Sequence, residues 1–261
     1  MKYFTRLLSS LMLLSLAACG GGASSGTPNP LPSLTPSPAP SSGPGAGSVL
    51  VEVITPKRVA AAGTSLPQLT ELVATITQYN GGTTLPSGVN PTTVATLPSG
   101  SLCTAGALCT FTMPAPSGSL TVTITAYAGS HAVSTLTKSF VSSGAAAQTL
   151  PVTLDGIVQN VSFTIPTLTF GAVSSQSLGT LITDPSGAVL AATDATPFAN
   201  PLTFTDHDTS GSTTLQSGST IGASVPDNNA ATQVLLRYNG GGYTSFSITW
   251  SSNGSPAIAV P

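Results

Sequence analysis

Three cysteines, two histidines and eight carboxylates are the reactive stock of this 261-residue chain. Cys103 and Cys109 enclose Thr104-Ala105-Gly106-Ala107-Leu108. An even pair of thiols in an exported protein points to a structural disulfide. A redox pair wants C-x-x-C spacing and a lowered thiol pKa, and a zinc site wants further ligands, none of which is near. Loop entropy puts such a bond at about 2–3 kcal/mol at most, and it would pin the start of an expected strand at 108–113. His207 stands between Asp206 and Asp208. A hydrolytic triad needs a carboxylate-oriented imidazole beside a nucleophile, whereas neighbours on extended backbone point to opposite sides. His131 follows Gly129-Ser130 at an expected turn, where it reads as solvated. Glu52 and Glu71 are the only glutamates, so paired-carboxylate glycosidase chemistry has little to draw on. Asp206 and Asp208, joined by Asp184, Asp194 or Asp227, offer oxygens of the kind calcium takes; aspartate is also a common turn former. Tyr238, Tyr243 and Trp250 offer rings for stacking on a sugar, but Phe246, Ile248 and Trp250 alternate with Ser247, Thr249 and Ser251, which places Trp250 in a core. No residue is assigned a catalytic role, and no cofactor pattern is present.

The elements that must hold these groups are strands. Charged residues are 5% of the chain, against about 25% in an ordinary soluble protein. Helix surfaces normally carry Glu, Lys, Gln and Arg; here Ser and Thr fill the polar positions, with 27 Gly and 22 Pro for turns. Lys2 and Arg6 lie at the extreme N-terminus, leaving Lys57, Arg58, Lys138 and Arg237 against all eight acids, a net charge of about −4. Neutralising a phosphate backbone needs clustered cations, so nucleic acid is excluded as a partner, as is docking on anionic lipid through a basic face.

Period-two runs mark the strands. Leu120, Val122, Ile124 and Ala126 alternate with Thr121, Thr123, Thr125 and Tyr127; Val161, Phe163 and Ile165 alternate with Ser162 and Thr164. Further strands are expected at 49–54, 72–79, 108–113, 133–140, 150–154, 178–183, 202–205 and 233–238. Turn chemistry separates them, at Asn80-Gly81, Pro114-Ala115-Pro116-Ser117-Gly118, Asp184-Pro185-Ser186-Gly187 and Asn239-Gly240-Gly241-Gly242. No breaker-free window shows a helical period. The fold class is therefore all-β. With a seam at Asp155-Gly156, the expected organisation is two tandem Ig-like β-sandwiches, 48–154 and 155–261, with one larger sandwich as the alternative. The polar stretch 205–229 reads as a long loop.

Ahead of them, Lys2 and Arg6 precede an apolar run from Leu7 to Leu16, too short to span a bilayer core of about 30 Å as a helix. Leu16-Ala17-Ala18-Cys19 resembles the lipobox of bacterial lipoproteins. The resemblance implies a cleaved signal peptide at 1–18 and diacylglycerol on Cys19, with acylation of the new amine. Each buried CH₂ contributes about 0.8 kcal/mol, so three acyl chains amount to a nearly permanent anchor. Gly20 after the cysteine, in place of Asp, implies the outer membrane in double-membraned bacteria. Residues 19–47 are Gly, Ser, Pro and Thr, a composition that cannot bury a core and reads as a disordered tether. Gly22-Ala23-Ser24-Ser25-Gly26 matches G-x-S-x-G, but no strand precedes it and no helix follows.

Leu108-Cys109-Thr110-Phe111-Thr112-Met113-Pro114-Ala115-Pro116-Ser117-Gly118, followed by Val152-Thr153-Leu154-Asp155-Gly156-Ile157-Val158, resembles a family of secreted bacterial Ig-like repeat proteins. Leu181-Ile182-Thr183-Asp184-Pro185-Ser186-Gly187 and the stretch Pro201 to Gly211 resemble that family's following domain. The resemblance covers most of 48–261 and implies Ig-like domains. It carries no activity and hence no site residues. The usual Ig pairing of a buried Trp with an inter-sheet disulfide is missing, because Trp250 lies far from the cysteines. The expected function is a lipid-anchored, non-enzymatic binding or structural protein of the cell envelope, held to the membrane through Cys19, with a protein or glycan partner. A carbohydrate-binding module and a hydrolase built on Asp206, His207 or Asp208 are the alternatives. The first predicts an exposed aromatic patch, the second a nucleophile within about 3 Å of His207.

Overall fold

The alternation of apolar and hydroxyl residues sets the strands of the computed structural model, which describes residues 46–98, 108–145, 148–217, 220–242, 247–252 and 258–260. Cys19, Cys103, Tyr243, Phe246 and the leader lie outside the described residues. The first half contributes β1 (Ala46–Ile54), β2 (Arg58–Val59), β3 (Glu71–Tyr79), β4 (Thr92–Thr96), β5 (Leu108–Pro116), β6 (Gly118–Ala128), β7 (His131–Ser142), β8 (Gln148–Thr153) and β9 (Asp155–Gly156). The second half contributes β10 (Asn160–Thr164), β11 (Ser174–Ser177), β12 (Gly179–Thr183), β13 (Val189–Leu190), β14 (Pro197–Asp206), β15 (Thr213–Ser217), β16 (Thr220–Ile221) and β17 (Ala223–Asp227). The one-turn helix α1 (Asn228–Thr232), then β18 (Val234–Tyr238), β19 (Ile248–Ser252) and β20 (Ile258–Val260) complete it. The fold is all-β, as expected.

In β6 the Leu120, Val122, Ile124 and Ala126 side chains are fully buried. On the opposite face Thr121, Thr123 and Thr125 meet Ser139, Thr137 and Thr135 of β7 at 2.9, 2.8 and 3.2 Å, cross-strand pairs that lock the register. Asn80 and Gly81 both take positive φ, 47° and 80°, and Tyr79 and Gly82 exchange backbone hydrogen bonds across them. This is the two-residue turn that Asn-Gly favours.

Two cores form. The sheet β5-β1-β8 turns Val49, Val51, Val53, Phe111, Met113 and Val152 inward against Leu72, Leu120, Val122 and Ile124 of β3 and β6. In the second half Val161, Ile182, Leu202, Phe204, Val225, Leu236, Ile248 and Trp250 form a separate cluster, with the Phe163 and Phe204 rings edge to face at 4.9 Å. Apolar residues of the first core span 49–154 and of the second 161–250. The strip between them is not a bare linker. β9 pairs with β7 on one side and with Phe198 of β14 on the other, so strands of both halves share one sheet. β2 pairs with β13 of the second half.

A buried ion pair spans the same junction. Arg58 Nε donates to Asp184 Oδ2 at 2.6 Å, with side-chain exposures of 1% and 0%. Arg58 Nη1 donates to Pro67 O and Nη2 to Ser186 Oγ. Asp184 Oδ1 accepts the Ser186 and Ala188 N–H groups and the Ser186 hydroxyl. The Asp-Pro-Ser-Gly turn is thus also the receptor for an arginine 126 positions earlier.

The structure corrects two local expectations. The polar stretch 205–229 is not one long loop: it holds β15, β16 and β17 and opens α1, whose first turn is capped by Asp227 accepting Ala230 N–H at 2.8 Å. Thr249 is not on an open face. It is 8% exposed, because the ring of His207 reaches its hydroxyl at 2.8 Å.

Candidate functional site

The segment joining β14 to β15, which carries Asp206, His207 and Asp208, is built by its own polar side chains. Asp206 Oδ1 accepts Asp208 N–H at 2.9 Å. Asp208 Oδ1 accepts the Ser210 N–H at 2.9 Å and its hydroxyl at 2.6 Å, and Oδ2 accepts Thr213 N–H at 2.7 Å. Asp-x-Asp-x-Ser is therefore a nested turn, the role aspartate takes when it can reach backbone two residues on. Gly211, at φ 72°, completes the reversal. The loop is fastened to the end of β18: Asn239 N–H donates to Ser212 O, Asn239 Nδ2 to Gly211 O, and Ser212 Oγ to Gly242 O.

Those hydrogen bonds, the Ser210 hydroxyl first among them, hold the Asp208 carboxyl well below the usual carboxylate range. The linkage has a definite sign. A carboxyl whose folded pKa is depressed supports the fold above its unfolded value of about 3.9. That support is lost as pH falls through the folded pKa. Asp208 is therefore expected to stay ionised at pH 3 in the native protein, read from its side-chain carboxyl carbon by NMR. A titration midpoint near the ordinary aspartate value would show that the turn is not holding the charge.

His207 is brought to a hydroxyl but to no carboxylate. Its Nε2 lies 2.8 Å from Thr249 Oγ1, so the distance expected of a nucleophile is met. Among the described residues no carboxylate hydrogen-bonds to its ring. Asp206 Oδ1 and both oxygens of Asp208 are engaged in the turn, Asp206 Oδ2 is buried without a hydrogen-bond partner among the described residues, and Thr249 is buried on β19. The other aspartates are dispersed. Asp184 holds Arg58; Asp194 takes the Lys57 N–H and both Thr196 donors; Asp227 caps α1. No group of three or more His, Cys, Asp or Glu side chains that could hold a metal is found among the described residues. His131 is exposed at the start of β7.

Two clefts flank the loop and share Gly211 and Thr214. One, of about 590 Å³, is lined by Asp206, Asp208, Thr213, Ser224 and the flank of Phe204. The other, of about 430 Å³, lies on the outer face of β11, β18 and β15 and is lined by Val173, Ser175, Ser212, Thr214, Arg237 and Asn239. Arg237 faces Ser175 on one neighbouring strand and Thr214 on the other. All three are exposed, while Leu236 and Tyr238 on either side of Arg237 point into the interior. Arg237 makes no salt bridge among the described residues. Beside the cleft, Phe170 is 78% and Val173 79% exposed.

Of the aromatic residues expected to offer a platform, Trp250 and Tyr238 are both buried, while Tyr243 lies outside the described residues. Trp250 is 4% and Tyr238 1% exposed, and the Tyr238 hydroxyl donates to Gly241 O. Cys109 is buried on β5 opposite Val53; its pairing with Cys103 falls outside the described residues. The sequence does not single out Arg237, Ser175, Thr214, Asn239 or Phe170 as site residues. The one available signal was Arg237 itself, the only basic residue after Lys138 in a stretch holding six aspartates.

No family model matches the chain, and no curated protein does. Among solved structures, the crystal structure of domains 4 and 5 of the S-layer protein SbsC aligns over 74% of this chain and 97% of that one. The identity is 14% and the TM-score 0.26. A likeness of that size assigns nothing.

Proposed function

We propose that the chain is an exported lipoprotein, anchored through Cys19 to the outer membrane or cell surface, whose β-sheet part binds or spaces other envelope components without catalysis. The observation that carries this reading is the state of the Asp206–His207–Asp208 loop. Its carboxylates accept hydrogen bonds from their own turn, and its imidazole rests on a buried threonine, with no carboxylate hydrogen-bonded to the ring among the described residues. That loop stands between two clefts lined by both polar and apolar groups, an arrangement suited to recognition. The near absence of charge is consistent with contacts made through hydroxyl, amide and backbone groups. Cys103 and Cys109 are proposed as a structural disulfide that staples the start of β5.

Cys19→Ser tests the anchor. The variant is expected to leave the membrane pellet and appear in the soluble fraction, while the unaltered chain stays with the membrane and carries a lipid mass on its N-terminal residue. A variant that still pellets with membrane would remove lipidation as the means of attachment.

A further inference from the structure

We propose that the cleft over β11, β18 and β15 binds a carboxylate-bearing sugar, with Arg237 as the group that holds its carboxylate. The proposal rests on the reading of the chain as an envelope-binding protein and supplies its ligand class.

Three observations converge. First, Arg237 is a cation without an internal counter-charge. It is exposed on the outer face of β18 and forms no salt bridge among the described residues. Asp184, Asp194, Asp206, Asp208 and Asp227, all in the same half, are each engaged elsewhere. A guanidinium fork matches the two oxygens of a carboxylate.

Second, two exposed hydroxyls flank it. Ser175 and Thr214 sit directly opposite it on the two neighbouring strands, which puts their β-carbons about 5 Å from its own. Ser212 and Asn239 also line it, with their polar side chains engaged in the loop. The exposed Ser175 and Thr214 hydroxyls both donate and accept, which a polyhydroxylated ring requires and a hydrocarbon chain does not. The cleft's volume of about 430 Å³ lies within the roughly 300–1,000 Å³ usual for small-molecule sites.

Third, an exposed ring lies close by. Phe170 is 78% exposed. Its loop is tied to the glycine turn after β18 by Gly171 N–H donating to Gly240 O at 3.0 Å. A β-carbon at Gly242 would lie 3.7 Å from the Phe170 ring. The ring thus lies near the turn that follows the cleft residue Asn239 and is open to solvent, where the apolar face of a pyranose can lie on it. The same ring and Val173 would also suit a lipid surface. That occupant is disfavoured by charge, since membrane attraction needs several clustered cations and this half has one in a chain of net charge −2.

The test is calorimetric titration of the full chain with trimers of galacturonate, glucuronate and mannuronate, each beside its methyl ester. At least one acid form is expected to bind about tenfold or more tighter than its ester. Arg237→Gln should remove that difference, Arg237→Lys should restore part of it, and Phe170→Ala should weaken binding several-fold. All three side-chain changes are at exposed positions, so the thermal unfolding curve should be unmoved. Equal binding of acid and ester, no binding of any trimer, or unchanged binding by Arg237→Gln would each overturn the proposal. So would capture by phosphatidylglycerol vesicles that Arg237→Gln and Phe170→Ala abolish while Cys19→Ser does not, which would assign the patch to a membrane. None of these outcomes touches the Cys19→Ser fractionation, so failure here is distinguishable from failure of the anchored-protein reading.

Discussion

Asp184→Ala is expected to lower the free energy of unfolding by about 3–5 kcal/mol, because it leaves the Arg58 guanidinium charged and unpaired in the interior. The pair is almost completely shielded, at 1% and 0% side-chain exposure, and close, at 2.6 Å. Removing one partner keeps the desolvation cost of the other and discards the compensation. A second loss adds to it: Asp184 also accepts two backbone N–H groups of its own turn, and each buried donor left without a partner costs about 1–3 kcal/mol. Set against a total of about 5–15 kcal/mol for a folded domain, the single change consumes much of the margin. Replacing both charges, with Arg58→Met and Asp184→Leu together, is expected to cost less than Asp184→Ala alone, since no bare charge remains. Urea unfolding followed by circular dichroism measures both. A single variant within about 1 kcal/mol of the parent would show that water reaches the pair and that it does not tie the junction together.

The second large effect is at Trp250, the chain's one tryptophan. Trp250→Ala is expected to cost about 3–5 kcal/mol through lost burial and the cavity left behind. The side chain is 4% exposed, pairs with Phe204 across β14 and β19, and belongs to the second core. Trp250→Phe should cost much less than Trp250→Ala, and for a specific reason. The indole Nε1 has no hydrogen-bond partner among the described residues, so the phenyl ring gives up volume but strands no polar partner. Emission from the parent protein should be blue-shifted and poorly quenched by iodide. Emission typical of a solvated indole, or a stable Trp250→Ala variant, would return this residue to the candidates for a sugar-binding platform.

These two sites separate what is local from what is not. Trp250 was assigned to a core from the step-by-two pattern of Phe246, Ile248 and Trp250, and the strand β19 buries it. The same pattern located β6, and Asn80-Gly81 located the turn after β3, because side-chain alternation and positive φ are properties of a few consecutive residues. Asp184, by contrast, was legible only as a turn former. Its partner is 126 residues away, and nothing near either residue announces the other.

The candidate site divides in the same way. Asp206, His207 and Asp208 stood out as residue types, and their nested turn follows from Asp and Ser reaching nearby backbone. That β15 and β17 flank them could not be read, because Thr213 and Ser212 are hydroxyl residues whose burial depends on strands drawn from elsewhere in the chain. β9 and β13 are two residues each and exist as strands only through their neighbours. The cleft at Arg237 is assembled from β11, β15 and β18, whose residues 175, 214 and 237 meet by register alone.

Composition and alternation by themselves determined that this chain is all-β, where many of its strands and turns fall, and which face is apolar in clearly alternating strands such as β6. The tertiary structure decided which strands are neighbours, which polar groups are buried, and which residues share a cleft. The reason is physical: strand and turn preferences act over a few bonds, whereas a buried pair or a cleft wall is a contact between segments that only the closed chain brings together.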